Sequence, residues 1–207
     1  MKAPRFDPQP RKWPRQARSR ATFDALLDAT ARILERDGYA ALTTNRIAER
    51  AGASVGTLYE YFPDADTMVA LLAAREIRRV LDVLESSMEA LHDEPFEPAM
   101  RTWLGVAFEE LHARRALVRE LMTNVPFLGR LPAAKELAAR LAVIAATGGS
   151  RRRNEVELAE VPTALFLVAN MVRGAFLAML LSPPKGVSRE AMLDDLTTLV
   201  LRMLRGR

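Results

Sequence analysis

Cysteine is absent from all 207 residues. That excludes disulfides, thiolate-bound metals and thiol redox chemistry. Histidine is almost as scarce. His92 and His112 are not at the spacing of a helical metal pair, so neither a protein-held metal nor a cofactor is expected. The first twenty residues lack the continuous apolar run of a secretory signal and instead carry Pro4, Pro8, Pro10 and Pro14 among basic side chains. Export is therefore not expected, and a cytoplasmic protein is the simplest reading. One run, Val161 to Leu181, is apolar enough to suggest a membrane span, but Pro162, Asn170, Arg173 and Gly174 interrupt it. A central arginine costs roughly 2.5–3.5 kcal/mol on insertion, so a buried helix or a dimer interface fits better. Also missing are a nucleophile with its base, a carboxylate–histidine cluster and a glycine loop that could cradle phosphate. An enzyme is not expected.

The charge that is present is unevenly placed. Residues 1–63 hold 11 of the 30 Lys and Arg against 7 of the 26 Asp and Glu, while the remainder is balanced at 19 against 19. The whole excess of +4 thus belongs to the N-terminal third, as expected where only that part meets a polyanion. A basic tail that merely aids solubility is the plainer alternative.

Strand-like alternation and internal repeats are absent, and apolar residues recur at helical spacing along nearly the whole chain. The expected fold is all-α, with about nine helices. Residues 1–20 read as a disordered basic arm, rich in proline and cations. Residues 21–66 read as a small three-helix domain, and residues 67–207 as a larger helical domain. From Ala21, the residues Phe23, Leu26, Leu27, Thr30, Ile33 and Leu34 form one face of a helix that Gly38 ends. Thr43 and Thr44 can cap a short helix with Ile47, Ala48 and Ala51 inward, broken by Gly52. Ser54 can cap the next, which ends at Pro63. Two short helices joined by a tight glycine turn make a helix-turn-helix. A long helix should begin at Asp64 or Asp66. Others are expected near 96–114, 116–124, 132–146, 156–181 and 189–204, separated at Pro95, at Pro126, at Gly148 with Gly149, and at Pro183 with Pro184.

A recognition helix needs small or polar residues at its N terminus to enter the major groove, and an apolar back. Ser54, Val55, Gly56 and Thr57 meet the first demand, Leu58 and Phe62 the second. Tyr59 and Tyr61 are left on outer faces, where a phenol can bond phosphate oxygens. The run TTNRIAERAGASVGTLYEYFPDADTMVALL, with the preceding ATFDALLDATARILERDGY, resembles the DNA-binding domain of the TetR family of bacterial transcriptional regulators. The resemblance covers about Arg20 to Leu72, carried by IAERAG, GTLY and YF at these spacings. It implies that Thr43, Thr44 and Arg46 lie on the phosphate backbone, that Ser54 to Thr57 face base edges, and that Tyr59 and Tyr61 hold phosphates. A backbone amide at the N terminus of the fourth helix would add a further phosphate contact. Ala65, flanked by Asp64 and Asp66, stands where family members usually have a phosphate-binding lysine. Arg11, Lys12, Arg15, Arg18 and Arg20 of the arm could supply that grip along the backbone or in the minor groove.

The resemblance further implies a symmetric dimer on double-stranded operator DNA, and a repressor that a small, largely apolar effector releases. Two half-sites roughly 34 Å apart need two recognition helices. Leu165, Val168, Ala169, Val172, Ala175, Phe176 and Met179, followed by Met192, Leu196, Leu199 and Met203, recur at three and four and could join the protomers. Packing within one chain competes with that reading. Trp103, Phe108, His112, Met122, Phe127, Phe166 and Asn170 could line a cavity for the effector. A protein that coats DNA without regard to sequence remains the alternative of a different class.

Overall fold

The computed structural model describes residues 8–151 and 161–205. Among the described residues the chain is all-α, without a strand. The helices are α1 (Ala17–Asp37), α2 (Thr44–Ala51), α3 (Val55–Tyr61), α4 (Ala65–Ala90), α5 (Phe96–Ala113), α6 (Arg115–Asn124), α7 (Pro132–Arg151), α8 (Val161–Leu181) and α9 (Arg189–Arg205). Tight 3-10 turns at Tyr39–Ala41 and Leu128–Arg130 complete the set. No helix among the described residues is long and apolar enough to cross a membrane. The chain divides into two units. One holds the residues up to Arg78 together with Ala116–Lys135, the other Arg79–Arg115 with Glu136–Arg207.

Helix α1 starts at Ala17, four residues before the expected Ala21, so Arg18 and Arg20 belong to a helix and not to a loose arm. The physical reason is local. The hydroxyl of Ser19 accepts the N–H of Gln16 at 3.1 Å and donates to its carbonyl at 2.8 Å, satisfying backbone groups that a helix start leaves open. At the other end Gly38 adopts φ 81°, ψ 170°, a conformation essentially closed to L side chains, and its N–H donates to Ile33 O at 3.1 Å.

The first unit is built on Leu26, Ile33 and Leu34 of α1, Ile47 of α2, Leu58 of α3, Phe62, and Met68 and Leu72 of α4, all under 2 % exposed. Leu117, Leu121, Val125, Phe127 and Leu131 extend the same core. Each large apolar side chain buried so fully contributes about 1.5–3 kcal/mol, which is what holds the two short helices α2 and α3 that could not persist alone. Glu120 on α6 accepts the N–H of Tyr39 at 2.6 Å and the side-chain amide of Asn124 at 2.8 Å, fixing α6 to the turn after α1.

The second unit buries Leu84, Leu104, Phe108, Phe176, Val200 and Leu204. Trp103 donates its indole N–H to Leu84 O at 3.1 Å. Arg79 pairs with Glu110 at 2.5 Å, and Arg140 with Glu85 at 2.6 Å and Asp82 at 3.5 Å. Arg101 also pairs with Asp194. Exposed pairs contribute about 1 kcal/mol or less, so the apolar contacts dominate. Helix α7 continues to Arg151, through the Gly148 and Gly149 expected to end it near 146. Glycine lowers helix propensity by about 1 kcal/mol without forbidding the conformation. Arg152, Arg153 and the expected helical residues 156–160 lie outside the described residues.

Candidate nucleic-acid interface

Helices α2 and α3 meet through a turn whose geometry follows from three residues. Thr43 is extended, and its hydroxyl accepts the N–H of Arg46 at 3.3 Å, starting α2. Gly52, at φ 68°, ends it in the left-handed region. Ser54 then accepts the N–H of Thr57 at 3.0 Å, and its hydroxyl also lies 2.8 Å from that of Thr57. The first turn of α3 is thereby rigid, with Ser54, Val55 and Gly56 exposed, Thr57 half-buried and Leu58 sealed inside. Gly56 borders open space: a Cβ there would meet only the Ser54 hydroxyl, at 3.7 Å. Thr44 and Tyr59, one from each helix, bring their hydroxyls to 3.2 Å, and the Tyr59 ring is 40 % exposed.

Two expected phosphate ligands are placed otherwise. Tyr61, expected on an outer face, is 6 % exposed, edge-on to Phe23 at 5.8 Å and beside Phe62 at 6.3 Å. It lies three residues after Leu58 and so shares its inward face. Arg46 turns back instead of outward, donating to Asp37 at 2.6 Å and to Ala41 O at 2.9 Å. Its charge is already met, and it holds the loop between α1 and α2.

The N terminus of α4, expected to offer an amide to phosphate, is acidic and internally engaged. Asp64 accepts the N–H of Thr67 at 2.7 Å, and Asp66 accepts the phenol of Tyr39 at 2.7 Å. Burial first, and then the hydrogen bond and negative charge of Asp66, push the Tyr39 phenol up to about 12. Sequence reasoning missed Tyr39, Asp66 and Glu120. Their partners stand 27 and 81 residues apart, and no local pattern reports such distances.

The residues expected to line a ligand cavity are divided between the two units. Phe127 is buried in the first unit, 6.4 Å from the Tyr39 ring, and Met122 of the same unit is exposed. In the second unit Phe108 stacks with His112 at 5.6 Å and meets Phe176 edge-on at 5.4 Å. Phe166 is 65 % exposed, and Asn170 is engaged on its own helix with Phe166 O at 2.8 Å and Arg173 at 3.0 Å.

Of the residues expected to join protomers, Val168, Phe176 and Leu196 are buried inside their own unit, where they pack the core. Ala169, Val172, Ala175, Met179 and Met192 are half-buried, while Leu199 and Met203 are exposed. The side chain of Leu165 lies outside the described residues. Among the described residues, the large apolar side chains left uncovered on α8 are Phe166, Leu167 and Leu181.

The model of the family described as bacterial regulatory proteins, tetR family, matches residues 26–72, the stretch that forms most of α1, all of α2 and α3, and the start of α4. The HTH-type transcriptional repressor KstR of Rhodococcus jostii is 42 % identical over 55 residues, 27 % of this chain and 26 % of KstR. The chain thus matches only about a quarter of the length of that relative. A protein of Mesorhizobium loti assigned to the TetR family of transcriptional regulators shares the fold at a TM-score of 0.72 and 20 % identity, over 91 % of this chain and 98 % of its own. The fatty acid degradation regulator FadR of Bacillus halodurans does so at 0.70 and 19 %, over 94 % and 100 %.

Proposed function

The chain belongs to the TetR family of bacterial regulatory proteins, and we propose that it is a sequence-specific, homodimeric transcriptional repressor that a small molecule releases from its operator. The relatives and structural neighbours named above are regulators of transcription and not enzymes. One observation carries the DNA-binding reading. Helix α3 presents Ser54, Val55, Gly56 and Thr57 on a turn made rigid by the Ser54–Thr57 hydrogen bonds, while Leu58 behind them is completely buried. Side chains so placed can enter a major groove without rearranging the fold. In this reading Thr43, Thr44 and Tyr59 hold phosphates, Arg18 and Arg20 add charge, and Tyr61 and Arg46 serve the scaffold.

Dimerisation is supported by Phe166, Leu167 and Leu181 of α8 and Leu199 and Met203 of α9, large apolar side chains that a soluble monomer would leave in water. In this reading the effector lies beside Trp103 and the Phe108–His112–Phe176 cluster, whose apolar rings and one imidazole suit a largely apolar molecule with a polar handle. Binding there releases DNA only by favouring a conformation whose reading heads no longer match the half-sites. A cytoplasmic location follows from the operator as partner.

The test compares affinity for the DNA upstream of the protein's own gene with that for a random duplex of equal length across a salt series. The upstream fragment is expected to bind more tightly at every salt concentration. Equal affinities throughout would replace operator recognition with non-specific coating.

A further inference from the structure

We propose that Pro10–Gln16 is a docked basic strap that lays Arg11, Lys12 and Arg15 on DNA phosphates flanking the bases met by α3, an inference that rests on the DNA-binding reading above. The segment was expected to be a loose arm. The structure ties it down at three points. Pro10 is buried, the N–H of Arg11 donates to the carbonyl of Tyr61 at 2.7 Å, and the ring of Trp13 lies against Phe23 with centroids 5.9 Å apart. Phe23 in turn lies against Phe62 at 4.6 Å and Tyr61 at 5.8 Å. The strap is therefore fastened to the aromatic group that seats the C-terminal end of α3, and its register relative to the recognition helix is set before DNA arrives.

The side chains of Arg11, Lys12 and Arg15 are exposed between and beside these anchors. Among the described residues none of them, nor Arg18 or Arg20, holds a carboxylate, whereas Arg36, Arg46 and Arg75 of the same unit each do. Asp7 is the single acidic residue in the first twenty. Five cations so close together repel one another and add nothing to the fold. Arg18 and Arg20 also stand in the first turn of α1, which carries no acidic residue and where the positive end of the helix dipole disfavours cations. A polyanion across the strap removes both penalties. Duplex DNA is the polyanion that α3 adjoins, and phosphates held here offset the contact that Ala65, between Asp64 and Asp66, does not provide. Because the strap is ordered in the free protein, it binds without the entropy loss of folding a tail onto DNA.

The experiment uses the full chain, the upstream fragment and a random duplex. The triple variant Arg11→Gln, Lys12→Gln, Arg15→Gln should weaken both by the same factor. It should also lower the slope of log affinity against log salt by roughly 0.9 for each phosphate contact removed, close to 3 per protomer. Trp13→Ala, which keeps every charge, should lose affinity on the order of tenfold, the equivalent of re-ordering one or two side chains on binding. Trp13→Phe should restore it. An unchanged salt slope in the triple variant overturns the strap. A triple variant that loses slope alongside a Trp13→Ala protein of wild-type affinity also overturns it, because the cations would then act from a free tail. With Trp103→Phe, the fluorescence anisotropy of Trp13 in the DNA-free protein gives an independent reading. A value matching the tumbling of the whole protein supports docking, and a low value refutes it. Failure of the operator reading is separate and shows as wild-type protein that binds both duplexes equally.

Discussion

Thr44 Oγ1 and Tyr59 Oη stand 3.2 Å apart, one on each helix of the helix-turn-helix. Two hydroxyls at that separation, on a face with Thr44 half-buried and Tyr59 exposed, can close on one phosphate oxygen, each donating a hydrogen bond once they no longer bond each other.

Thr44→Val and Tyr59→Phe are accordingly expected to weaken binding to all duplexes alike. Each should cost about 1 kcal/mol, or roughly fivefold, the net value of one hydrogen bond. If both hydroxyls serve the same phosphate, the double variant loses less than the sum of the single losses. Thr57→Ala should instead change which bases are preferred. Affinity measured on a panel of sequences separates these outcomes, and a change of preference in Tyr59→Phe would overturn the assigned roles.

Gly56 gives a sharper separation between fold and function. A Cβ there meets only the Ser54 hydroxyl at 3.7 Å, ordinary contact, and the glycine does not have a positive φ. Nothing in the free protein requires glycine. Gly56→Ala should leave the thermal midpoint unchanged or raise it, since alanine gains up to about 1 kcal/mol in helix propensity. Its DNA affinity should fall if the backbone of α3 approaches the duplex at this point, because the added methyl then occupies that space. Thermal unfolding and DNA titration on the same preparation check both halves.

The parts legible in the sequence are those determined by neighbours along the chain. Thr43 and Ser54 cap their helices, and Gly38 and Gly52 end theirs, because each effect acts within three or four residues. What escaped depends on contacts between distant segments. Arg46 meets Asp37 across a turn, Trp13 of the strap packs on Phe23 of α1, and Tyr39 meets Glu120 81 residues on. Helix α8 is apolar on nearly every side, so its sequence does not say which face turns inward. Phe176, expected at the interface, is buried within its own unit, while Phe166, expected to line a cavity, is exposed. Tyr61 is legible in principle, since its spacing from Leu58 points inward, although a phenol on a short helix also suits a phosphate.

Tyr39 joins two parts of the first unit, its N–H held by Glu120 of α6 and its phenol by Asp66 at the start of α4. Burial and the Asp66 carboxylate together disfavour the phenolate and push the phenol up to about 12, against 10 in an unfolded chain. A group whose proton is held more tightly in the folded state stabilises it fully at pH values below the unfolded value. Between about pH 10 and 12 the unfolded chain releases that proton and the folded one does not, so stability falls as pH rises through this window. Tyr39→Phe removes both the hydrogen bond and the linkage. The wild type should therefore be more stable than Tyr39→Phe at neutral pH, and its advantage should shrink from pH 10 upward. Urea unfolding of the two proteins at a series of pH values measures the difference directly. A constant difference across that window would show that Asp66 does not hold the phenol proton in solution.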